Sequence, residues 1–110
     1  MKWLSRKEEL VLLSIKKLED DAYGVTIREQ LARITRKYWS IGAIYDVLDR
    51  LLEKGMVKAA VAPPLPGRSG RSRRIYTVSQ EGIEALAEVR ELNNTINAML
   101  TGAKVRSHES

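Results

Sequence analysis

Four arginines, Arg68, Arg71, Arg73 and Arg74, fall in a segment, residues 63–79, that contains no acid. The same stretch opens Pro63-Pro64-Leu65-Pro66-Gly67 and repeats glycine at Gly70, so its first half can be neither helix nor central strand. Guanidinium groups on such a loop can follow a phosphate backbone without fixed secondary structure. Each phosphate they neutralise releases counterions, which makes binding salt-dependent. The chain as a whole carries 19 Lys and Arg against 14 Asp and Glu, a net of +5 over 110 residues. The local asymmetry is sharper, because residues 80–100 set Glu81, Glu84, Glu88 and Glu91 against Arg90 alone. A basic loop beside an acidic helix argues for a placed polyanion contact and against indiscriminate binding.

Other chemistry finds little support. There is no cysteine, which removes disulfides, thiolate zinc sites, iron–sulfur clusters and thiol nucleophiles together. The one histidine, His108, sits in a polar tail with no partners for a metal site or a triad. No Gly-x-x-x-x-Gly-Lys loop occurs, and no paired carboxylates stand with a separate base. The expectation is a binder that needs no cofactor and no metal, not an enzyme. Apolar runs reach only about four residues, and the start, Met1 to Glu8, lacks the apolar stretch of a signal peptide. A cytoplasmic protein that does not cross a membrane is therefore expected.

The elements that must position the arginines follow from caps and periods. Ser5 and Glu8 have the spacing of a capping box, and Leu10, Val11, Leu12, Leu13, Ile15 and Leu18 follow, giving a first helix over 5–18 buried on most sides. Val25, Ile27, Leu31 and Ile34 mark one face of a second helix over 24–36. Ser40 caps a third helix over 41–54, with Ile41, Ile44, Val47, Leu48 and Leu51 at helical spacing and a stop at Lys54-Gly55. The period then changes. Met56–Ala62 and Arg74–Ser79 read as two strands of a hairpin, the second rich in β-branched and aromatic residues. The connecting loop of about ten residues is long for a hairpin, where roughly 2–5 is usual, which points to a functional loop. Ser79 caps a terminal helix over 80–100.

The order α-α-α-β-β-α, with a basic hairpin tip, is that of a winged helix–turn–helix: mainly helical with a small β-hairpin. Residues 1–79 form the DNA-binding domain, 80–100 a dimerisation helix packed on it, and 101–110 a disordered tail. The third helix would enter the major groove and the loop would be the wing.

Several blocks are also familiar in this order. Leu10-Val11-Leu12-Leu13-Ser14-Ile15, Tyr23-Gly24-Val25-Thr26-Ile27, Ser40-Ile41-Gly42-Ala43-Ile44-Tyr45-Asp46-Val47-Leu48-Asp49-Arg50-Leu51, Lys54-Gly55-Met56-Val57 and Gly70 to Gly82 resemble the PadR family of transcriptional regulators over about residues 4–90. The resemblance implies a dimeric winged-helix repressor of double-stranded DNA, often released by small phenolic or drug-like molecules. A single short terminal helix is similar to the smaller subfamily. In drug-binding members a Trp of the terminal helix lines the pocket; residues 80–100 here hold no aromatic residue, which departs from that pattern.

The candidate DNA contacts are Arg68, Arg71, Arg73 and Arg74 on the wing, Ser40, Gly42, Ala43 and Tyr45 at the start of the third helix, and Arg36 and Lys37 just ahead of it. Ser40 and the first helix amides can hold a phosphate, and Gly42 and Ala43 are small enough for close approach to the groove. Tyr45 is either a contact, as the resemblance supports, or a core residue with its hydroxyl at the surface. Asp46, Asp49 and Glu53 weaken the picture, since carboxylates repel phosphate; Asp49 and Glu53 are read as facing away or pairing with cations. That acidity motivates the alternative of a protein–protein interaction module. For dimerisation, Ile83, Leu86, Val89, Leu92, Ile96 and Met99 form a near-heptad seam; Leu4, just ahead of the first helix, and Leu10 within it join the candidates, the seam's partner being the first helix of the same chain or, in a dimer, the first and terminal helices of the other subunit. Trp3 is the one candidate to line a pocket for an effector of unassigned identity, although it and Trp39 read first as packing residues.

Overall fold

The computed structural model describes residues 3–64 and 72–102. Arg68, Arg71 and the tail from 103 onward lie outside the described residues. Four helices and one hairpin occur in the expected order: α1 (Arg6–Leu18), a 3-10 turn (Glu19–Asp21), α2 (Gly24–Thr35), α3 (Ile41–Glu53), β1 (Val57–Ala62), β2 (Arg73–Val78) and α4 (Gln80–Leu100). The strands pair antiparallel from Val57↔Val78 to Ala62↔Arg73.

The starts of three helices are set by serines. Ser5 accepts from the Glu8 amide while Glu8 accepts from the Ser5 amide, a complete capping box. Ser40 accepts from the Ala43 amide, and Ser79 from the Gly82 amide. Val11, Leu12 and Ile15 of α1, Ile27 and Leu31 of α2, and Ile44, Val47, Leu48 and Leu51 of α3 enclose the core, closed from below by Met56, Val57, Tyr76, Ala85 and Leu86. The hairpin is tied in at two points: the Tyr76 amide donates to the Ala22 carbonyl, and the Ser79 amide to Met56.

Two apolar faces differ from the periodicity. Val25 is exposed because a two-residue step rotates it about 200° from Ile27, onto the opposite side of α2; Ile34, in the last turn, is half exposed. Leu13 of α1 also reaches solvent, beside α4. Ser14, in contrast, is fully buried, and its hydroxyl has no hydrogen-bond partner.

Glu8 does more than cap. Its buried carboxylate accepts from Lys54 Nζ at 2.8 Å and lies 3.7 Å from Arg50 Nε, joining the start of α1 to the end of α3. Burial alone would raise this carboxyl, but the Lys54 ammonium and the Ser5 backbone and side-chain hydrogen bonds outweigh it and hold its pKa below the ordinary value of 4.5. A lowered folded-state pKa contributes stability above about 4.5 that is lost as pH falls through the lowered value. Glu8→Gln is therefore expected to cost about 1 kcal/mol at pH 7, since both cations are half exposed and re-solvate. Denaturant unfolding of the two proteins should converge as pH drops below that range; an equal gap at acid pH would count against the ion-pair account.

Candidate nucleic-acid interface

The first turn of α3 is presented to solvent. Ile41 and Gly42 are exposed, and their amides precede the first helical hydrogen bond, which Ile44 makes to Ser40. No atom would lie within 4 Å of a Cβ added at Gly42, so nothing inside the fold demands glycine there. Ser40 is exposed and its oxygen is occupied by the Ala43 amide, which leaves its hydroxyl proton to donate outward. Arg36 and Lys37 are exposed in the turn between α2 and α3, and Arg36 ends α2 in the left-handed region at φ 57°. Thr26, by contrast, is consumed locally: its hydroxyl meets the Asp21 and Tyr23 carbonyls and accepts from the Tyr23 amide.

Tyr45 is 41% exposed, with its ring laid over the start of α2. A Cβ at Gly24 would stand 2.5 Å from its hydroxyl oxygen and 2.8 Å from Cζ. The hydroxyl is the far end of a side chain, so the ring can swing away. Gly24→Ala is thus expected to leave the midpoint of thermal unfolding within a few degrees, because the part-exposed ring can move to absorb the clash. It should nonetheless weaken DNA binding as much as Tyr45→Ala, with no further loss in the double variant. Additive losses by fluorescence anisotropy would show that the two positions act separately.

The cations of α3 itself are turned away from this face. Arg50 and Lys54 converge on Glu8. Asp49 lies near Arg74 of β2, which relieves the acidity that α3 shows as a sequence. The Tyr76 hydroxyl first, and then the Asp49 charge, raise the Arg74 pKa. Burial pushes the Tyr76 phenol up, and its hydroxyl, close to Arg74, has no well-aligned hydrogen-bond partner. Arg74 itself is exposed, toward the loop end of the hairpin, and within electrostatic reach of Asp49 and Tyr45 on α3.

Arg73 differs from its place in the expected loop. It is the first residue of β2, because Ala62 extends the pairing to it. Its guanidinium stacks 5.1 Å from the centre of the Tyr23 ring and donates to the Pro63 carbonyl, with Nε buried and unpaired. It braces the hairpin against the start of α2.

The apolar seam of α4 divides. Leu86 is only 8% exposed and belongs to this chain's own core, with Leu4 and Leu10 packed against that core and Val89 half-buried. Ile83, Leu92, Ile96 and Met99 remain open, Met99 at 69%. Between α1 and α4 runs a groove of about 280 Å³ lined by Leu13, Leu86 and Asn93. Trp3 is 70% exposed and does not line it; its carbonyl accepts from Lys54. A second cleft, about 450 Å³, lies beside the start of α3 and is lined by Lys7, Lys37, Tyr38, Trp39, Ser40 and Ala43. Lys7 was not legible as a site residue, because nothing in local spacing brings the first turn of α1 to the start of α3; Tyr38 lies between the candidates Lys37 and Ser40, and that adjacency could have flagged it. Among the described residues no cluster could hold a metal ion, and no helix is long and apolar enough to cross a membrane.

A helix–turn–helix whose second helix offers its first turn to solvent, followed by a two-stranded wing, defines the winged helix–turn–helix class of DNA-binding transcription regulators. Residues 11–88 match the model of the transcriptional regulator PadR-like family, and the chain belongs to that family. Its members are regulators of transcription and not enzymes. A PadR-like regulator from Bacillus cereus ATCC 14579 shares the fold with a TM-score of 0.71 at 21% identity, covering 87% of this chain and 88% of that one. A PadR family regulator from Clostridium difficile R20291 gives 0.64 at 23%, covering 84% and 95%. One from Eggerthella lenta DSM 2243 gives 0.66 at 23%, covering 88% and 82%. Identities this low speak to the fold alone. No curated protein sequence matches the chain.

Proposed function

We propose that the protein is a homodimeric repressor that binds a near-palindromic operator through the first turn of α3 and the arginine-bearing wing. The observation that carries this is the solvent-presented first turn of α3 in a fold whose hairpin bears Arg74, exposed and within electrostatic reach of Asp49 on α3. A duplex laid on that face meets Ser40, Gly42 and Ala43 in the groove and the arginines on the flanking phosphates. Asp49 beside Arg74 offsets part of the acidity that argued for a protein-binding module, whereas Arg50 and Lys54 turn to Glu8 and do not. Few side chains on this face can hydrogen-bond guanine, so the shape of the operator carries much of the specificity.

The open residues Leu92, Ile96 and Met99 support the dimer. An exposed apolar row on the distal half of a 21-residue helix needs a partner, and a two-fold pair of such helices supplies one. Ile96→Asp is expected to shift sedimentation from dimer to monomer; an unchanged dimer would move the interface elsewhere. The repressor sense, and release by a small molecule, rest on the family resemblance.

The deciding experiment titrates the protein into labelled DNA from upstream of its own gene, at several salt concentrations and against scrambled competitor. Tight binding that survives competitor and falls steeply with salt is expected. Equal, weak binding to both DNAs would overturn the proposal.

A further inference from the structure

The cleft between α1 and the α2–α3 turn has its own chemistry. Lys7 comes from the first turn of α1 and Lys37 from the turn before α3, and no carboxylate lines the space between them. The acids that adjoin Lys7 in the chain are both engaged: Glu8 with Lys54 and Arg50, Glu9 with Arg6 at 3.0 Å. The side chains of Lys7, Lys37 and Tyr38 make no hydrogen bond or ion pair among the described residues. Tyr38 is 84% exposed, the most exposed of the large hydrophobic side chains among the described residues. Trp39 beside it is held fixed, since its indole N–H donates to Thr35 Oγ1 at 2.9 Å and Thr35 in turn donates to the Leu31 carbonyl.

We propose that this cleft seats the phosphodiester backbone of the strand flanking the groove that α3 enters. Lys7 and Lys37 take phosphate oxygens, and the Tyr38 hydroxyl donates to the same strand. Trp39 gives the deoxyribose an apolar wall. Two cations without counter-ions, on separate elements around one concavity, match the charge of a polyanion running past. The cleft is continuous with the α3 surface, because Ser40 and Ala43 line both. The inference rests on the DNA-binding reading and extends the contact to α1, a helix that the sequence placed wholly in the core and the dimer seam. Lys7 is then a phosphate contact on the side of α3 away from the wing.

The test compares wild type, Lys7→Gln, Tyr38→Phe and Lys17→Gln by anisotropy on the upstream DNA across a salt series. Lys17 sits in the last turn of α1, outside the cleft, and controls for net charge. Lys7→Gln should weaken binding about fivefold and reduce the salt slope by roughly 0.9 per protomer. Tyr38→Phe should raise Kd about threefold, on the scale of one lost hydrogen bond, and Lys17→Gln should change little. All four should unfold at the same temperature, because the three side chains are exposed. Equal effects of Lys7→Gln and Lys17→Gln, with wild type still binding, would overturn this inference and leave the DNA-binding reading standing. Absence of wild-type binding to any DNA would overturn both.

Discussion

Gly82→Ala is expected to lower stability by about 3 kcal/mol, an overpacking cost at the upper end of its usual range. The reason lies in how α4 begins. The Ser79 hydroxyl donates to the Gly55 carbonyl at 2.6 Å and accepts from the Gly82 amide at 3.1 Å, while the Ser79 amide donates to Met56. These bonds draw the first turn of α4 onto the Gly55–Met56 turn. A Cβ at Gly82 would then collide with the Met56 carbonyl oxygen and stand 2.7 Å from Val78 Cγ1. The Met56 carbonyl is backbone, held at the entrance of β1, and has no rotamer by which to yield. Helix propensity would favour alanine by only about 1 kcal/mol. The thermal midpoint should therefore fall by roughly 10–20 °C. Gly42→Ala serves as the control, because it meets nothing within 4 Å and should unfold at or slightly above the wild-type temperature. Equal midpoints for the two variants by circular dichroism would refute the packing argument. The consequence reaches function, since α4 carries the open Leu92–Ile96–Met99 row. α4 starts on the Gly55–Met56 turn through Ser79 and Gly82, so a variant that survives by tilting α4 would move that open row relative to the rest of the fold.

What the sequence made legible is what local chemistry determines. Ser5 with Glu8, Ser40, and Ser79 each sit within three residues of the amide they cap, so helix starts could be read within a residue of their positions. The buried stripe of α3 was equally clear, because Ile44, Val47, Leu48 and Leu51 repeat at a single helical period. Legibility stopped where two distant segments meet. Glu8 reads fully as a capping residue, and nothing near it announces Lys54 forty-six positions on. Gly24 reads only as the first residue of the second helix; its contact with Tyr45 depends on how α2 and α3 cross. Arg73 sits one residue before the expected strand, and pairing with Ala62 rather than composition placed it in β2. Leu13 completes an apolar run as a sequence, yet the fold leaves it beside the open groove along α4.

Replacing Arg71, Arg73 and Arg74 together by alanine is expected to weaken operator binding at least about 100-fold at physiological salt. A dimer would lose six positive charges, and the slope of log K against log salt should flatten by about 0.9 for each phosphate contact removed. The single variants should divide according to the geometry. Arg74 is exposed near Asp49 and the Tyr76 hydroxyl, so Arg74→Ala should reduce affinity and the salt slope while leaving the unfolding temperature nearly unchanged. Arg73 stacks on Tyr23 and donates to Pro63, so Arg73→Ala should also lower stability, by about 0.5–1 kcal/mol for the lost cation–π contact. Lysine separates charge from shape: Arg74→Lys should restore most of the affinity, because a phosphate accepts either cation. Arg73→Lys should restore less, because an ammonium cannot reproduce the flat stacking of a guanidinium on the ring. Thermal unfolding and anisotropy on the same samples distinguish the two roles. Wild-type affinity in the triple variant would remove the wing from the interface, and equal rescue of both lysine variants would remove the brace from Arg73.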